Sequence, residues 1–280
     1  MKLLNLGCGN AYHKDWLNID FVSNNGYVAA HNLLNGIPIK DNDVDVVYHS
    51  HVLEHFSKSD GFRFIEECYR VLNTNGIIRI AVPDLEIIVK EYLMNLQLAL
   101  EGNIVATNNY EWIKLELFDQ MVRNESGGDM KDYLYQPIMK NEEYVFKRIG
   151  SEGKIIRDSF LNKQIVKNKQ IRSNGSIFKS LLKKGKAIIV KISIRERKKT
   201  LTEQESKALK IGQFRLGGEI HQWMYDRYSL SKLLSQVGFT EIKVCSAFES
   251  EIQNWGTYQL DVINGEVRKP DSLFIEAKKL

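Results

Sequence analysis

Residues 3–10 read LLNLGCGN, an apolar run that ends in two glycines one residue apart. The run Leu3–Leu6 is predicted to be a short β-strand, and Gly7 and Gly9 a tight turn at its end. Because glycine has no side chain and takes positive φ easily, such a turn lets a ligand approach the backbone closely. What this turn does in the protein depends on the elements that follow it.

Strand patterns alternate with helix patterns along residues 3–82 and again near the end of the chain. Apolar residues at helical spacing predict a helix over Asp60–Leu72, with Asn75 and Gly76 as a stop signal. The nearly continuous apolar run Ile77–Val82 predicts a strand buried on both faces. A further helix is predicted over Ser229–Val237. This alternation predicts an α/β fold with a doubly wound, parallel sheet. The other predicted strands are Trp16–Asp20, Tyr27–Ala30, Val44–Tyr48, Thr240–Ser246 and Leu273–Ala277, and Gln253–Asp271 is predicted to be a loop or hairpin.

Three further elements indicate a nucleoside ligand. Asp20 closes the second predicted strand, where a carboxylate can accept hydrogen bonds from both hydroxyls of a ribose. Asn32 follows the third strand and has an amide that can address an adenine edge. Residues 41–55 read DNDVDVVYHSHVLEH and residues 70–77 read RVLNTNGI. The four elements in this order are much more specific evidence of function than the glycine turn alone.

Taken together they resemble the class I methyltransferases that use S-adenosylmethionine, and within them the type 11 group. The resemblance covers about residues 1–100 and 218–280. It implies a doubly wound Rossmann-like methyltransferase sheet, mostly parallel with the last strand antiparallel, and a large, mostly helical insertion after the fifth strand. It also implies S-adenosylmethionine as the cofactor, with the glycine turn at the methionine part, Asp20 at the ribose and the segment after the third strand at the adenine. Carried over by position, the cofactor-binding residues are Leu6, Gly7, Cys8, Gly9, Asp20, Phe21, Asn32, Leu33, His49 and Ser50.

The sequence departs from the family pattern in three places. The short spacing between Gly9 and Asp20 leaves no room for a full helix, so the usual first helix is expected to be a turn or loop. Asn32 stands where many relatives have Asp, and it can still hydrogen-bond in both senses. The chain begins directly at the first strand, so the insertion is expected to shield the cofactor. The expected division is therefore a first cofactor-binding part over 1–95, a basic insertion that acts as lid or substrate-recognition region over 96–217, and a last part of the sheet domain over 218–280.

The net charge of +4 is unevenly distributed along the chain. Residues 147–215 hold 20 Lys and Arg against 5 Asp and Glu, a net of +15, which leaves −11 for the remainder. The basic stretches Ser176–Lys186 and Arg195–Lys199 are suited to an anionic membrane surface or to a phosphate-bearing glycan carrier. They are equally suited to nucleic-acid phosphates, and many charged runs are simply solvated surface. These alternatives remain open at this stage.

Candidates for the catalytic groups follow from the reaction that the resemblance implies. A sugar hydroxyl is a poor nucleophile and benefits from a general base, most often His or a carboxylate. The candidates are His51 after the fourth strand, Asp84 after the fifth, and His221 where the insertion rejoins the sheet domain. We expect His221 or His51 to be the base and Asp84 to position the substrate; a packed, structural His221 is the alternative.

The close spacing of His49, His51 and His55 is also typical of metal sites. These histidines straddle the end of a strand and the start of a helix, and Glu54 is the one carboxylate beside them. A structural or cofactor-lining role is therefore expected for Glu54 and His55, and no metal site is expected.

The stretches His221–Arg227 and Asp261–Gly265 resemble a bacterial subgroup associated with modification of surface glycans. The leading function is therefore methyl transfer to a hydroxyl of a saccharide, in surface polysaccharide or related glycan synthesis, with a glycan or lipid-linked glycan as substrate. An RNA methyltransferase that uses the basic insertion, and a cofactor-binding module without catalysis, are the alternatives. Three cysteines without metal-ligand spacing and the lack of a long apolar run indicate the cytoplasm, peripheral to the inner face of the membrane if the basic segment binds lipid.

Overall fold

The computed structural model describes residues 1–23, 25–173 and 201–280, and the side chains of these residues except for 163–173. The strands are β1 (Leu3–Leu6), β2 (Leu17–Asp20), β3 (Val28–Ala30), β4 (Val44–Ser50), β5 (Leu72–Pro83), β6 (Thr240–Cys245), β7 (Val262–Ile263), β8 (Glu266–Val267) and β9 (Ser272–Lys278). One sheet has the order β3-β2-β1-β4-β5-β9-β6, and β7 and β8 form a separate hairpin. β1 to β5 pair in parallel, whereas β9 is antiparallel to both β5 and β6. The predicted α/β sheet, mostly parallel with its last strand antiparallel, is confirmed.

The helices are α1 (Lys58–Val71), α2 (Leu85–Leu100), α3 (Ile104–Val122), α4 (Gly128–Leu134), α5 (Glu142–Ser173), α6 (Glu203–Arg215) and α7 (Arg227–Val237). Residues 7–16, between β1 and β2, form turns and loops instead of a helix. This agrees with the expectation from the short spacing. α1 begins at Ser57, whose hydroxyl accepts a hydrogen bond from the Asp60 N–H, and such a cap satisfies one of the free donors of the first turn.

The fifth strand starts earlier than the sequence predicts. α1 ends at Val71 and β5 begins at once with Leu72, five residues before the predicted start at Ile77. Asn75 has a φ of 66° within this strand, and its N–H donates to the Lys279 carbonyl. The Asn-Gly pair that was expected to follow the helix therefore forms an irregularity in the strand and not a separate turn.

The sheet is covered differently on its two faces. One face carries the main apolar core, in which residues of β1, β4 and β5 pack against α1 and α7. The other face carries an aromatic cluster in which Trp16, Tyr48 and Trp255 meet at edge-to-face angles. Trp255 lies on the segment between β6 and β7, so the late part of the chain closes over the early strands.

The helices α2 to α5 follow β5 and form most of the described insertion, which is largely helical as expected. Ile88 of α2 and Ile113 of α3 are buried in one apolar cluster with Met224, which lies between α6 and α7. The insertion therefore packs onto the sheet domain. Glu116 and Arg148 make a buried ion pair at 2.7 Å between α3 and α5. The basic stretches 176–186 and 195–199 lie outside the described residues. Within the described ranges, each helix is too short or too polar to cross a membrane.

Candidate functional site: a cavity at the glycine turn

A cavity of about 900 Å³ lies at the carboxyl ends of β1 and β4. The strand order reverses between these two neighbours, because β2 and β3 continue on one side and β5 on the other. Ligands of open α/β sheets bind at such a point. The volume is near the upper end of the roughly 300–1,000 Å³ of small-molecule sites. The cavity can therefore hold a nucleoside cofactor together with an acceptor.

The glycine turn forms one wall of the cavity. Gly7, Cys8 and Gly9 line it, as predicted, whereas Leu6 is fully buried in the core beneath them. Gly7 has a φ of +62°, and a Cβ there would lie 2.3 Å from a methyl carbon of Val52. Any side chain at this position would therefore meet both backbone strain and steric overlap. Burial, followed by the charge of Asp20, raises the pKa of the Cys8 thiol to about 11, so Cys8 is a neutral lining group near pH 7.

The carboxylate of Asp20 stabilises the glycine turn through hydrogen bonds to the main chain. Its Oδ2 accepts a hydrogen bond of 2.7 Å from the Gly9 N–H, and its Oδ1 accepts one of 3.3 Å from the Val22 N–H. Asp20 itself is not among the lining residues, and Phe21 is 70% exposed. Asn32 accepts a hydrogen bond from the Leu34 N–H and so caps a 3-10 turn, while Leu33 packs partly against the core. These four predicted residues thus lie outside the cavity lining.

The end of β4 separates the two predicted residues His49 and Ser50. Ser50 lines the cavity, together with His51 and Tyr48. His49 is fully buried on the opposite face, with its ring 5.1 Å from the ring of Phe64. Burial lowers the pKa of His49 to about 3. His49 is therefore a neutral core residue, and its predicted contact with the cofactor is not seen in the cavity lining.

His51 is the candidate base that the structure places at the cavity. Its N–H donates to the Ala81 carbonyl at 2.8 Å, and its φ of 55° turns the chain sharply after β4. Nε2 lies 2.8 Å from the Ser272 hydroxyl. Burial and neighbouring cations, Lys269 first among them, hold the pKa of His51 well below its usual value. Both factors favour the neutral form of the ring.

Asp84 and His221, the other two catalytic candidates, lie outside the cavity lining. Asp84 is 7% exposed, and its Oδ1 accepts a hydrogen bond from the Ile87 N–H at the start of α2. Burial raises the pKa of this carboxyl group. His221 is 4% exposed, and its ring meets that of His55 at 4.9 Å. Asp84 is therefore a helix cap, and His221 packs against the residues that follow β4.

The opposite wall of the cavity comes from distant parts of the chain. α5 contributes two polar and two apolar side chains to this wall. The insertion, which was expected to shield the cofactor, therefore forms part of the cavity wall. Lys269 pairs with Glu152 at 3.2 Å and thereby ties the segment after β8 to α5. The Arg268 guanidinium donates to the Ser50 hydroxyl at 3.0 Å and joins this wall to β4. The lining residues of this wall are Ser151, Glu152, Ile155, Ile156, Thr257, Tyr258, Gln259, Ile263, Arg268 and Lys269.

A buried ionic network anchors this far wall, and the sequence analysis missed it. Arg79 of β5 is fully buried and donates to Asp261 at 2.8 Å and to Glu276 at 2.7 Å. Its guanidinium also stacks 4.5 Å from the ring centre of Trp255. Asp261 accepts a further hydrogen bond of 2.6 Å from the Tyr48 hydroxyl. The one available signal was an arginine inside an otherwise apolar strand, since a charge is rarely buried unless it is paired.

The comparison with known families agrees with this site. Residues 4–80, from β1 into β5, match the family model described as a methyltransferase domain. The matched residues make up about a quarter of the chain. The glycine turn and the end of β4 both lie within the matched range. No curated protein matches the chain.

Solved structures similar to the chain include two that align with nearly all of it. One is a SAM-dependent methyltransferase from Archaeoglobus fulgidus, with 11% identity over 99% of this chain and 86% of that one, at a TM-score of 0.37. Another is a possible histamine N-methyltransferase from Thermotoga maritima, with 12% identity over 100% and 82% of the chains and a TM-score of 0.37. A chain from the complex between the Haloferax volcanii Trm112 methyltransferase activator and a putative methyltransferase shares 16% identity over 30% of this chain, at a TM-score of 0.24. This chain spans 45% of that last chain.

Proposed function

We propose that the protein transfers a methyl group from S-adenosylmethionine to a hydroxyl of a saccharide, in surface polysaccharide or related glycan synthesis. The observation that carries the proposal is the one cavity that the glycine turn, Ser50 and His51 share. A histidine therefore lies within the same enclosure as the wall that would hold the methionine part of the cofactor. The far wall adds Thr257, Gln259 and other polar side chains, which suit an acceptor with many hydroxyl groups.

Methyl transfer requires mainly that the acceptor and the methyl group are aligned and that water is excluded. When bound, S-adenosylmethionine supplies an electrophilic methyl group, so an acceptor oxygen only has to be held in line with it. Gly7 and Gly9 would hold the cofactor, with Asp20 and Asn32 beside them at the ribose and adenine. The side chains of α5 and of the segment after β8 would keep water out. These assignments follow the family resemblance and the position of the cavity.

His51 is the preferred base among the three candidates, because it alone lines the cavity. We assign His51 the role of accepting the proton of the acceptor hydroxyl at Nε2. In the structure, this nitrogen lies 2.8 Å from the Ser272 hydroxyl. Ser272 keeps the ring in one orientation. General-base assistance of this kind contributes typically about 10²-fold or more to the rate.

The acceptor is proposed to be anionic or lipid-linked, and residues 147–215 are proposed to recruit it to the anionic inner face of the membrane. The support is the net charge of +15 in this segment. Each Lys or Arg near such a surface contributes about 1 kcal/mol to binding. Sedimentation of the protein with vesicles that contain an anionic lipid tests this part, and absence of binding at low salt would remove it.

The main test combines calorimetry with a turnover assay. Titration with S-adenosylmethionine is expected to show binding, and failure to bind would contradict the whole proposal. Formation of S-adenosylhomocysteine is then measured with a glycan extract and, separately, with an RNA extract. Turnover with the glycan alone supports the proposal, turnover with RNA alone identifies the alternative substrate, and binding without turnover identifies a module that only binds the cofactor.

A matched pair of variants tests the base. His51→Gln should lower turnover by about 10²-fold and change cofactor affinity much less. Lys232→Gln, an exposed change on α7, is the control and should leave both unchanged. Full turnover in His51→Gln would remove His51 from the reaction.

A further inference from the structure

Three side chains next to the end of β4 converge at one place in the interior. Glu54, His55 and His221 each offer one ligand atom, and these atoms lie within 4.8 Å of one another. Glu54 and His55 belong to the 3-10 turn Leu53–His55, whereas His221 lies on the chain that returns from the insertion. We refer to these three residues as the Glu54 cluster.

Main-chain and side-chain hydrogen bonds fix the two segments of the Glu54 cluster against each other. The N–H groups of Gln222 and Trp223 both donate to the Glu54 carbonyl, at 2.7 Å and 3.2 Å. The Gln222 side chain donates to the His55 carbonyl at 2.8 Å. The cluster is therefore held by the backbone of both segments, and its three side chains do not meet by chance rotation.

Two side chains of the cluster have buried polar atoms that are poorly satisfied. Glu54 is fully buried, and its carboxylate oxygens make no well-aligned hydrogen bond among the described residues, although Nδ1 of His51 lies 3.2 Å from Oε1. Nδ1 of His221 is likewise buried and without a partner in that part of the chain. A buried carboxylate without a partner costs free energy, and native proteins rarely leave such groups unsatisfied. The arrangement therefore indicates a missing occupant.

His55 shows which kind of occupant fits. Its Nδ1 lies 3.1 Å from the Ile220 carbonyl, which fixes Nδ1 as the protonated nitrogen and leaves a lone pair on Nε2. A histidine that binds a metal almost always donates its other N–H to a carbonyl or carboxylate in this way. Two imidazoles with one carboxylate are a ligand set that zinc takes in proteins, whereas magnesium and calcium prefer oxygen ligands.

Two cationic side chains lie near the cluster, and each is paired with carboxylates. Burial and His55, followed by Arg123 and Lys269, lower the pKa of His221. Arg123 is paired with Asp119 and Glu219, and Lys269 is paired with Glu152. Each of these positive charges is thus paired with a carboxylate outside the cluster.

We infer that Glu54, His55 and His221 bind a divalent transition-metal ion, for which zinc is the best match. The ion joins the 3-10 turn after β4 to the chain that leaves the insertion. It also lies beside His51, because Nδ1 of that ring is 3.2 Å from a carboxylate oxygen of Glu54. Metal binding would therefore fix the His51 side chain that lines the cavity. No metal was expected from the sequence, where Glu54 and His55 were considered together with His49 and His51 and not with His221.

Zinc binding by the full-length protein tests the inference directly. The protein is stripped with a chelator, dialysed against zinc chloride, and its metal content is measured by atomic emission. The expected result is about one zinc per chain, with magnesium failing to compete. Absence of bound zinc in the wild-type protein would overturn the inference, since the cluster would then hold water or a protonated carboxyl group.

Variants locate the ion. Glu54→Gln and His221→Asn should each weaken zinc binding more than about tenfold. His31→Asn is the control, because His31 contacts the Gly36 carbonyl away from the cluster. Unchanged zinc binding in both cluster variants would place the ion elsewhere and refute the assignment. If either variant fails to fold by circular dichroism, His55→Asn replaces it, and cobalt absorption spectra of the remaining proteins report the loss of a nitrogen ligand. Cofactor titration of the same samples is a separate measurement, so its outcome does not decide this one.

Discussion

The two walls of the cavity are built in opposite ways. The glycine wall comes from Gly7–Gly9 and from Ser50 and His51, which directly follow or end neighbouring parallel strands. The far wall comes from α5 and from residues 257–269, and a buried arginine on β5 holds that later segment in place. Local sequence is enough to form the first wall, whereas the second exists only when distant segments are assembled. The wall expected to bind the shared cofactor is therefore the local one, and the wall left for the acceptor is the one free to vary.

The largest effect is expected from Arg79→Met, which attacks the far wall at its anchor. The variant leaves Asp261 and Glu276 buried without their cation, and breaking such a pair costs roughly 3–5 kcal/mol. The free energy of unfolding in urea measures this loss. Arg63→Met is the control, because its ion pair with Asp60 is exposed and should contribute little. Equal stability of the two variants would mean that the network does not hold the wall.

The next largest effect is expected from Gly7→Ala in the glycine wall. Its Cβ would overlap Val52, and its φ would be strained, which together cost on the order of 3 kcal/mol. Calorimetry should show S-adenosylmethionine binding weakened about 100-fold or lost. Gly9→Ala is the matched control, because Gly9 has a φ of +52° but nothing lies within 4 Å of the added carbon. Its affinity for S-adenosylmethionine should fall only about tenfold. The reverse order of affinities would contradict the role given to the close approach of Val52.

An intermediate effect is expected from Gly150→Ala, which disturbs the far wall at the kink of α5. Gly150 has a φ of +64°, and an added Cβ would lie 2.5 Å from the Arg268 carbonyl oxygen. Strain and overlap should cost about 1–3 kcal/mol and separate α5 from the segment after β8. Hydrogen exchange of residues 151–156 and 263–269 should rise. Gly102→Ala, with a φ of +85° and open space, controls for strain alone, and the same exchange pattern in both variants would remove the contact as the cause.

The smallest effect is expected from Asp20→Asn. The carboxylate accepts hydrogen bonds from the N–H groups of Gly9 and Val22, and a charged acceptor is worth about 1 kcal/mol more than a neutral one. Affinity for S-adenosylmethionine should fall about fivefold, with stability nearly unchanged. A much larger loss of affinity would show that the contact of Asp20 with the ribose matters more than its support of the turn.

Much of the first wall was predictable from the sequence, because each of its signals is local. The apolar run Leu3–Leu6 and the glycines after it give a strand and a turn without reference to any distant residue. The position of His51 beyond a strand end placed it at the same edge of the sheet. Pattern and geometry agree here because parallel strands align their carboxyl ends.

His49 shows where a local rule was available and was applied with the wrong boundary. The predicted strand stopped at Tyr48, so His49 and Ser50 were both taken as residues of a loop beside the cofactor. β4 continues to Ser50, and successive side chains of a strand point to opposite faces. Tyr48 and Ser50 therefore face the cavity, while His49 faces the core.

The far wall and the Glu54 cluster could not be derived in this way. Arg79 meets Asp261 across 182 positions of the chain, and His221 meets His55 across 166. No periodicity or motif spacing encodes contacts of this length, which depend on how the insertion returns to the sheet. The sequence analysis singled out His221 and Asp84 by their residue type, and only the assembled fold distinguishes a cavity residue from a buried cluster member or a helix cap.

The position of β9 has a consequence for how the protein folds. β9 follows β6 in the chain but lies between β5 and β6 in the sheet. β6 therefore gains its place in the sheet only when β9 has inserted, and among the described strands it pairs with no other. Long-range pairing of this kind slows folding, because loop closure precedes the gain from contacts. The parallel pairing of β1 to β5 does not depend on β9, so we expect β6 to join the sheet after these strands have paired.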